Sequence, residues 1–419
     1  MRLYIDPGTG SMLFAIVIGL VGVVLYFLRG LFVKLRFLIT GGKAAASDSN
    51  SIPLVIFAED KRYWSIFEPI IKELDKREFD VVYMTASKDD PSLTCEAYPH
   101  LSAQFIGEGN RAFAKLNFLK ATILLSTTPG LDVYQWKRSK SVKYYVHIVH
   151  SPTAGITLYE VFGTDYYDAL LLSSIHQEDD IRAIEKLRDL PPKELVFVGL
   201  PFMDEKLKRI AQFPTLDKHE RTILLAPSWG PNSILNRFGD RMIRNLLDTG
   251  YHIIVRPHPQ SFKSDPDMME KLMTEFPENE QLEWNRDNDN LQVLARSDLM
   301  ISDFSGVVYE FTMLFDRPVI CAMTDFDTSK YDAWWLDSTI WTLEYIPKLG
   351  AIISDDDLEH IKTLIDNCIE DSKYSDARRD MRDKIWLHQG EGAKRVVDYL
   401  EKKYKELTES TEQENASDS

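Results

Sequence analysis

From position 52 onward the sequence keeps restarting one pattern: a short, nearly continuous apolar run, an amphipathic stretch with helical spacing, then another apolar run. It opens with PLVIFAED at 53–60, passes through a helical stretch at 63–76, and returns in DVVYMTAS at 80–87, a β-α-β unit. Strands that are apolar on both faces must be covered on both faces, so the pattern calls for parallel sheets flanked by helices. Further strands are expected at 103–106, 121–126, 142–149, 168–173 and 195–198, with a helix over 176–187.

A second series begins at Arg221 with TILLAPSW. It continues through a helix at 237–248, the strand of HIIVRPHP, helices at 268–275 and 290–295, the strand of DLMISD, a helix at 307–315 and the strand of RPVICA. Two such series, joined near 205–218, predict an α/β chain of two doubly wound domains facing one another across a cleft, where ligands of such folds bind. The expected boundaries are 52–208 for the first domain, 209–406 for the second with its closing helix, and 407–419 for a disordered acidic tail.

Ahead of these series lies an uncharged apolar run at 11–28, SMLFAIVIGLVGVVLYFL, about 27 Å long as a helix and close to the hydrocarbon thickness of a bilayer. Arg29, Lys34, Arg36 and Lys43 follow it, whereas Arg2 and Asp6 balance one another before it. The charge asymmetry predicts an anchor over 1–39 and a linker over 40–51, with the bulk of the chain in the cytoplasm and the protein single-pass in the cell membrane. A cleaved export signal is the competing reading, with Ala44, Ala45 and Ala46 as small residues near a cut site, but the cations stand on the wrong side of the apolar run.

The net charge of -16 excludes a nucleic-acid partner, which needs a basic face. Cys95, Cys321 and Cys368 lie far apart, so neither a disulfide framework nor a cysteine zinc site is expected. No H-E-x-x-H or clustered carboxylate motif supports a metal, and no cofactor is implied.

Four stretches could carry chemistry. In SDFSGVVYE a strand runs into a helix through a hydroxyl-rich turn, the layout of an anion site. Ser302, Asp303, Ser305, Gly306 and Glu310 are its candidates, and simple N-capping by Asp303 or Ser305 is the alternative. RPHP puts Arg256 and His258 at the carboxyl end of a strand, the ligand-binding edge of open α/β sheets. VHIVHSPTAG ends another strand; His147 and His150 point to opposite faces, leaving His150 as the exposed base and His147 as a core residue, with Ser151 beside it. APSWG brings Pro227, Ser228 and Trp229 to the same edge in the second series. A basic stretch at 136–140, with Lys143 beyond, is either a solvated loop or a contact for anionic lipid or polymer.

In this order HSPTAG, APSW, RPHP and SDFSGVVYEF with RPVI resemble the CDP-glycerol glycerophosphotransferase family, whose patterns include W-H-G-T-P-x-K, A-P-T-W-R, R-x-H-P and S-D-Y-S-S. A late GEGAKRVVDYL is similar to the family's closing helix, and the resemblance spans roughly 51–403. Val149 and Ser151 stand where the family has tryptophan and glycine, the family lysine is absent, and Gly306 replaces a serine. The resemblance implies a GT-B-like fold of two Rossmann-type domains, with the donor nucleotide on the second and the acceptor approaching from the first. It further implies transfer of glycerol phosphate from CDP-glycerol to a lipid-linked or polymeric glycerol phosphate acceptor at the membrane, with CMP released. His150 would then be the base, while Arg256, His258, Ser305 and the Gly306 N–H would hold the pyrophosphate. A glycosyltransferase of the same fold using a nucleotide sugar, or a non-catalytic membrane-anchored binding module, are the other readings.

Overall fold

The computed structural model describes residues 51–153, 155–213, 220–287, 289–323, 327–336 and 340–417. The expected span at 11–28 and most of the linker lie outside the described residues. Among those residues no helix is long and apolar enough to cross a membrane.

Seven strands form the first sheet: β1 (Ile52–Ala58), β2 (Val81–Thr85), β3 (Leu101–Phe105), β4 (Ala121–Ser126), β5 (Val142–Ile148), β6 (Ala169–Leu172) and β7 (Glu194–Phe197). Their spatial order is β3-β2-β1-β4-β5-β6-β7 and every pairing is parallel. The second sheet holds β8 (Thr222–Leu225), β9 (His252–Val255), β10 (Leu282–Trp284), β11 (Leu299–Ser302), β12 (Val319–Cys321) and β13 (Gly350–Ile352). Its order is β10-β9-β8-β11-β12-β13, again all parallel. This is the GT-B-like pair of parallel α/β sheets. In each, the chain leaves β1 or β8 toward one edge and returns at β4 or β11 to build the other. The reversal opens a crevice at the carboxyl ends of those neighbouring strands.

The period-two pleat explains why the strand sequences carry so few polar residues. On β1, Leu54 and Ile56 face one apolar layer with Phe67, Ile70, Ile71 and Leu74 of the helix Trp64–Lys76. Val55 and Phe57 face the opposite layer with Leu124 and Tyr145. Each such side chain contributes on the order of 1.5 to 3 kcal/mol on burial, so a polar residue at any of these positions would be costly.

The closing helix, Gly392–Ser417, departs from expectation in two ways. It packs on the first sheet instead of staying with the second series, because Val396, Val397 and Leu400 complete the layer under Leu54 and Ile56. Arg77 fixes it there through Asp398 at 2.8 Å and Glu401 at 2.9 Å. It also runs to Ser417, where a disordered tail was expected from 407; past that point the Thr408 hydroxyl donates to the Tyr404 carbonyl at 2.9 Å and the Ser410 hydroxyl to the Glu406 carbonyl at 2.7 Å. The crossing back is built around Asp204, whose carboxylate accepts from Trp386 Nε1 at 3.0 Å and from the N–H groups of Gly390 and Gly392 at 2.7 and 2.9 Å. Gly199 is required there: its φ is +85°, and a Cβ would lie 2.3 Å from the Leu387 carbonyl oxygen. The expected boundary at 208 falls inside the helix Pro201–Ile210.

Candidate functional site

His150 emerges two residues beyond β5, and the crevice between β1 and β4 determines its surroundings. Thr127, just after β4, donates its hydroxyl proton to the Ile148 carbonyl at 2.8 Å, and its oxygen lies 2.6 Å from His150 Nδ1. With that hydroxyl proton already committed, Thr127 accepts from an Nδ1–H, which leaves Nε2 of a neutral His150 with a free lone pair. Tyr63, from the loop after β1, packs its ring 5.1 Å from the imidazole. Burial holds His150 down to about 4, a bond to the Thr127 backbone pulls the other way, and the positive charge of Arg62 adds to the depression. His147 is fully buried, touches Tyr159 Oη at 3.2 Å through Nε2, and is depressed to about 3 by burial. It is a core residue, as its strand position implies.

The second sheet supplies a histidine of the opposite kind. His258 lies in the turn after β9, where the N–H of Gln260 donates to its Nδ1 at 3.1 Å. An amide N–H can only donate, so a neutral His258 carries its proton on Nε2. Its ring stands 6.4 Å from the half-exposed Trp229, and burial followed by the charge of Arg62 lowers its pKa. Arg62 therefore senses both histidines from the loop after β1.

The candidates on SDFSGVVYE divide by position. Ser302 and Asp303 are fully buried. Ser302 donates to the Ala226 carbonyl at 2.6 Å, while Asp303 accepts from the N–H groups of Ser228 at 3.1 Å and Ile234 at 2.9 Å. Both were expected to contact substrate; their buried side chains are spent within the fold, tying the loop after β11 to the APSW loop after β8. Pro227 and Ser228 are buried by that same tie, which leaves Trp229 as the outward-facing member of the loop. Ser305 and Gly306 are half-buried at the start of the helix Val307–Phe315. Glu310 spends its carboxylate on Lys206 at 2.6 Å and Asn290 at 3.1 Å. Arg256 commits one terminal nitrogen to Asn285 and the other to the Asp287 carbonyl at 2.7 Å, and burial lowers its pKa.

The two sheets meet at Gly306. A Cβ on this residue would stand 3.5 Å from Thr153 Cγ2 and 3.7 Å from Ser151 Oγ, so the turn that follows His150 lies against the helix start of the second sheet. Ser151 and Thr153 share a hydrogen bond of 2.8 Å that stiffens this turn. The histidine loop of one sheet and the helix start of the other thus lie against one another.

Thr127, Tyr63 and Arg62 escaped the sequence reading. Position alone could have found them, because all three follow the switch-point strands β1 and β4. Within the basic stretch Trp136 is buried, Arg138 binds Asp168 at 2.8 Å and Lys137 approaches Asp132 at 3.8 Å. Among the described residues no group of three or more His, Cys, Asp or Glu side chains converges as a metal site.

Among solved structures, the chain is similar to the wall teichoic acid polymerase TagF soaked with CDPG, at 16% identity and a TM-score of 0.56, covering 92% of this chain and 97% of that one. A UDP-GlcNAc 2-epimerase from Neisseria meningitidis, bound to UDP-GlcNAc, gives 13% identity and a TM-score of 0.53, with 84% and 100% covered. At such identities the likeness is one of fold. In sequence, the chain is 23% identical over 370 residues to a teichoic acid glycerol-phosphate primase of Bacillus spizizenii, covering 80% of this chain and 89% of the relative. The profile of the CDP-Glycerol:Poly(glycerophosphate) glycerophosphotransferase family matches residues 175–402, more than half of the chain and including RPHP, SDFSG and the first part of the closing helix. The chain belongs to that family, and it is a glycerophosphotransferase enzyme.

Proposed function

We propose that this protein transfers glycerol phosphate from CDP-glycerol to a hydroxyl of a membrane-associated acceptor, releasing CMP, in the synthesis of a teichoic-acid-like polymer. The observation that carries the reading is the contact of the Ser151 and Thr153 turn with Gly306, which brings a histidine with a free Nε2 lone pair to the border of a helix start suited to phosphate. In the reaction the acceptor oxygen attacks the β-phosphorus of the donor. Its bond to phosphorus forms as the bond to the CMP oxygen breaks, and its proton passes to His150 Nε2.

His150 is unprotonated at neutral pH and so ready to accept. Its low pKa makes it a weaker base in the empty site, and an anionic donor beside it would raise that pKa by charge attraction. His258, with its proton on Nε2, serves as the donor to a phosphoryl oxygen, and the N–H groups near Gly306, Ser305 and Arg256 share the charge that builds on CMP. Trp229 offers a face for the nucleotide. Ser302, Asp303 and Glu310 act by holding these loops.

The protein is proposed to be a single-pass membrane protein with its catalytic part in the cytoplasm. The run at 11–28 and the cations after it support this placement, which would keep the enzyme beside a lipid-linked acceptor. The test is CMP release by purified protein supplied with CDP-glycerol, CDP-ribitol or a nucleotide-sugar panel and crude membrane acceptor, beside His150→Ala and His258→Ala. CMP from CDP-glycerol, lost in both variants, is expected; turnover of a nucleotide sugar in its place would overturn the reading.

A further inference from the structure

Beyond β1 and β2 lies a cavity of about 460 Å³ that the chemistry above leaves unused, lined by Glu59, Asp60, Arg62, Ser87, Lys88 and Glu108 among others. Its volume lies within the range of small-molecule sites, ~300 to 1,000 Å³. Its walls are built, not casual. The N–H of Lys61 donates to Ser87 Oγ at 3.0 Å and the Lys61 ammonium pairs with Asp89, which joins the loop after β1 to the loop after β2. Asp60 accepts from both the backbone N–H and Nε of Arg62 at 2.9 Å. The guanidinium is thereby oriented while its two terminal nitrogens have no protein partner among the described residues.

One side chain joins the cavity to His150. Tyr63 lines it and packs on His150, and Arg62 stands 6.0 Å from the centre of the Tyr63 ring. The lining also restricts its occupant. Glu59, Asp60, Asp89 and Glu108 bring four carboxylates, against the cations Arg62 and Lys88 and the Lys61 ammonium already paired with Asp89, so negative charge is in excess. Carboxylates accept hydrogen bonds from hydroxyls and repel a chain of phosphates, whereas one oriented guanidinium suits one phosphate.

Resting on the transferase reading, we infer that this cavity is the acceptor subsite. It takes a hydroxyl-rich end, polyol or sugar, carrying at most one phosphate, which Arg62 holds so that the reacting hydroxyl reaches His150. The lining accordingly favours beginning a polymer over lengthening one.

The experiment uses the full chain in detergent with CDP-glycerol and three synthetic acceptors on one lipid, carrying no, one or about ten glycerol phosphate units. Arg62→Ala is expected to raise the KM for the one-unit acceptor by about tenfold or more while the donor KM stays within about twofold. Glu108→Gln is expected to lower the KM for the ten-unit acceptor by a few fold. Arg62 has 73% of its side chain exposed, so an unchanged melting temperature separates this from a folding defect. A rise in the donor KM, or an acceptor KM that does not move, would overturn the inference. Calorimetric binding of the one-unit acceptor without donor, wild type against Arg62→Ala, tests the cavity even where no CMP is released, an outcome that would count against the transferase reading alone.

Discussion

The loops after β5 and β9 occupy equivalent places, each at the carboxyl end of a parallel strand and each carrying a histidine beside the cleft, yet they set opposite proton positions. A threonine oxygen takes the Nδ1 proton of His150, and a backbone N–H points at the Nδ1 lone pair of His258. One imidazole is left with a lone pair at Nε2 and the other with an N–H there. Similar topology thus gives an accepting nitrogen on one side and a donating one on the other. The difference is made by neighbours two residues or one strand away, not by the histidines themselves.

The most direct way to break this contrast is to make one substitution at both places. A glutamine amide can donate from near the Nε2 position but cannot take up a proton at neutral pH. His150→Gln is therefore expected to lower kcat by about 10² or more, the range typical of a lost general base. His258→Gln is expected to lose only about tenfold, since a hydrogen bond to the phosphoryl group can still form. Steady-state CMP release from both variants measures this, and equal losses would remove the division of roles.

Much of the frame behind that contrast was legible beforehand. The strand runs were readable because β1, β4 and β8 are covered on both faces and so carry mostly apolar residues, and RPHP and HSPT announced themselves by prolines and histidines at strand ends. What stayed hidden depends on distant partners. Nothing in the residues around position 303 says that Asp303 would collect N–H groups from Ser228 and Ile234 and so be withdrawn from the cleft. β10 and β13, with three residues each, are too short to carry a period. The return of the closing helix to the first sheet depends on Asp204 and Gly199, which lie almost two hundred residues before it. Arg62 was passed over because a charged residue after a strand usually means only solvent.

Acidification sharpens the comparison at smaller amplitude. A free histidine of pKa about 6.5 would be protonated roughly ten to one at pH 5.5, cutting a base-dependent rate about tenfold. His150, depressed to about 4 by its burial, stays neutral there, so kcat/KM is expected to change less than about twofold between pH 7 and 5.5. Stability follows the sign of the same shift. Because His147 and His150 bind protons more readily unfolded than folded, stability is fully present above about 6.5 and declines as the pH falls toward their folded values of about 3 and 4. His147 is fully buried, and between pH 6.5 and 5 it alone would cost about 2 kcal/mol. Thermal melts at pH 7 and 5 for wild type and His147→Gln check this: the variant is expected to lose less on acidification than the wild type, even where it starts lower.

The smallest effect is expected where the two loops touch. Gly306 has φ -58° and ψ -22°, ordinary right-handed helical values that any residue adopts, and an added Cβ would meet Thr153 and Ser151 at 3.5 and 3.7 Å, ordinary contact distances. Gly306→Ala is therefore expected to keep kcat and the donor KM within about twofold and to leave the melting temperature unchanged or slightly raised, since alanine restricts the unfolded chain more than glycine does. A donor KM raised tenfold would mean that phosphate approaches the Gly306 backbone too closely for a methyl group to be accommodated. The glycine at this place would then be a requirement of binding and not merely tolerated by the fold.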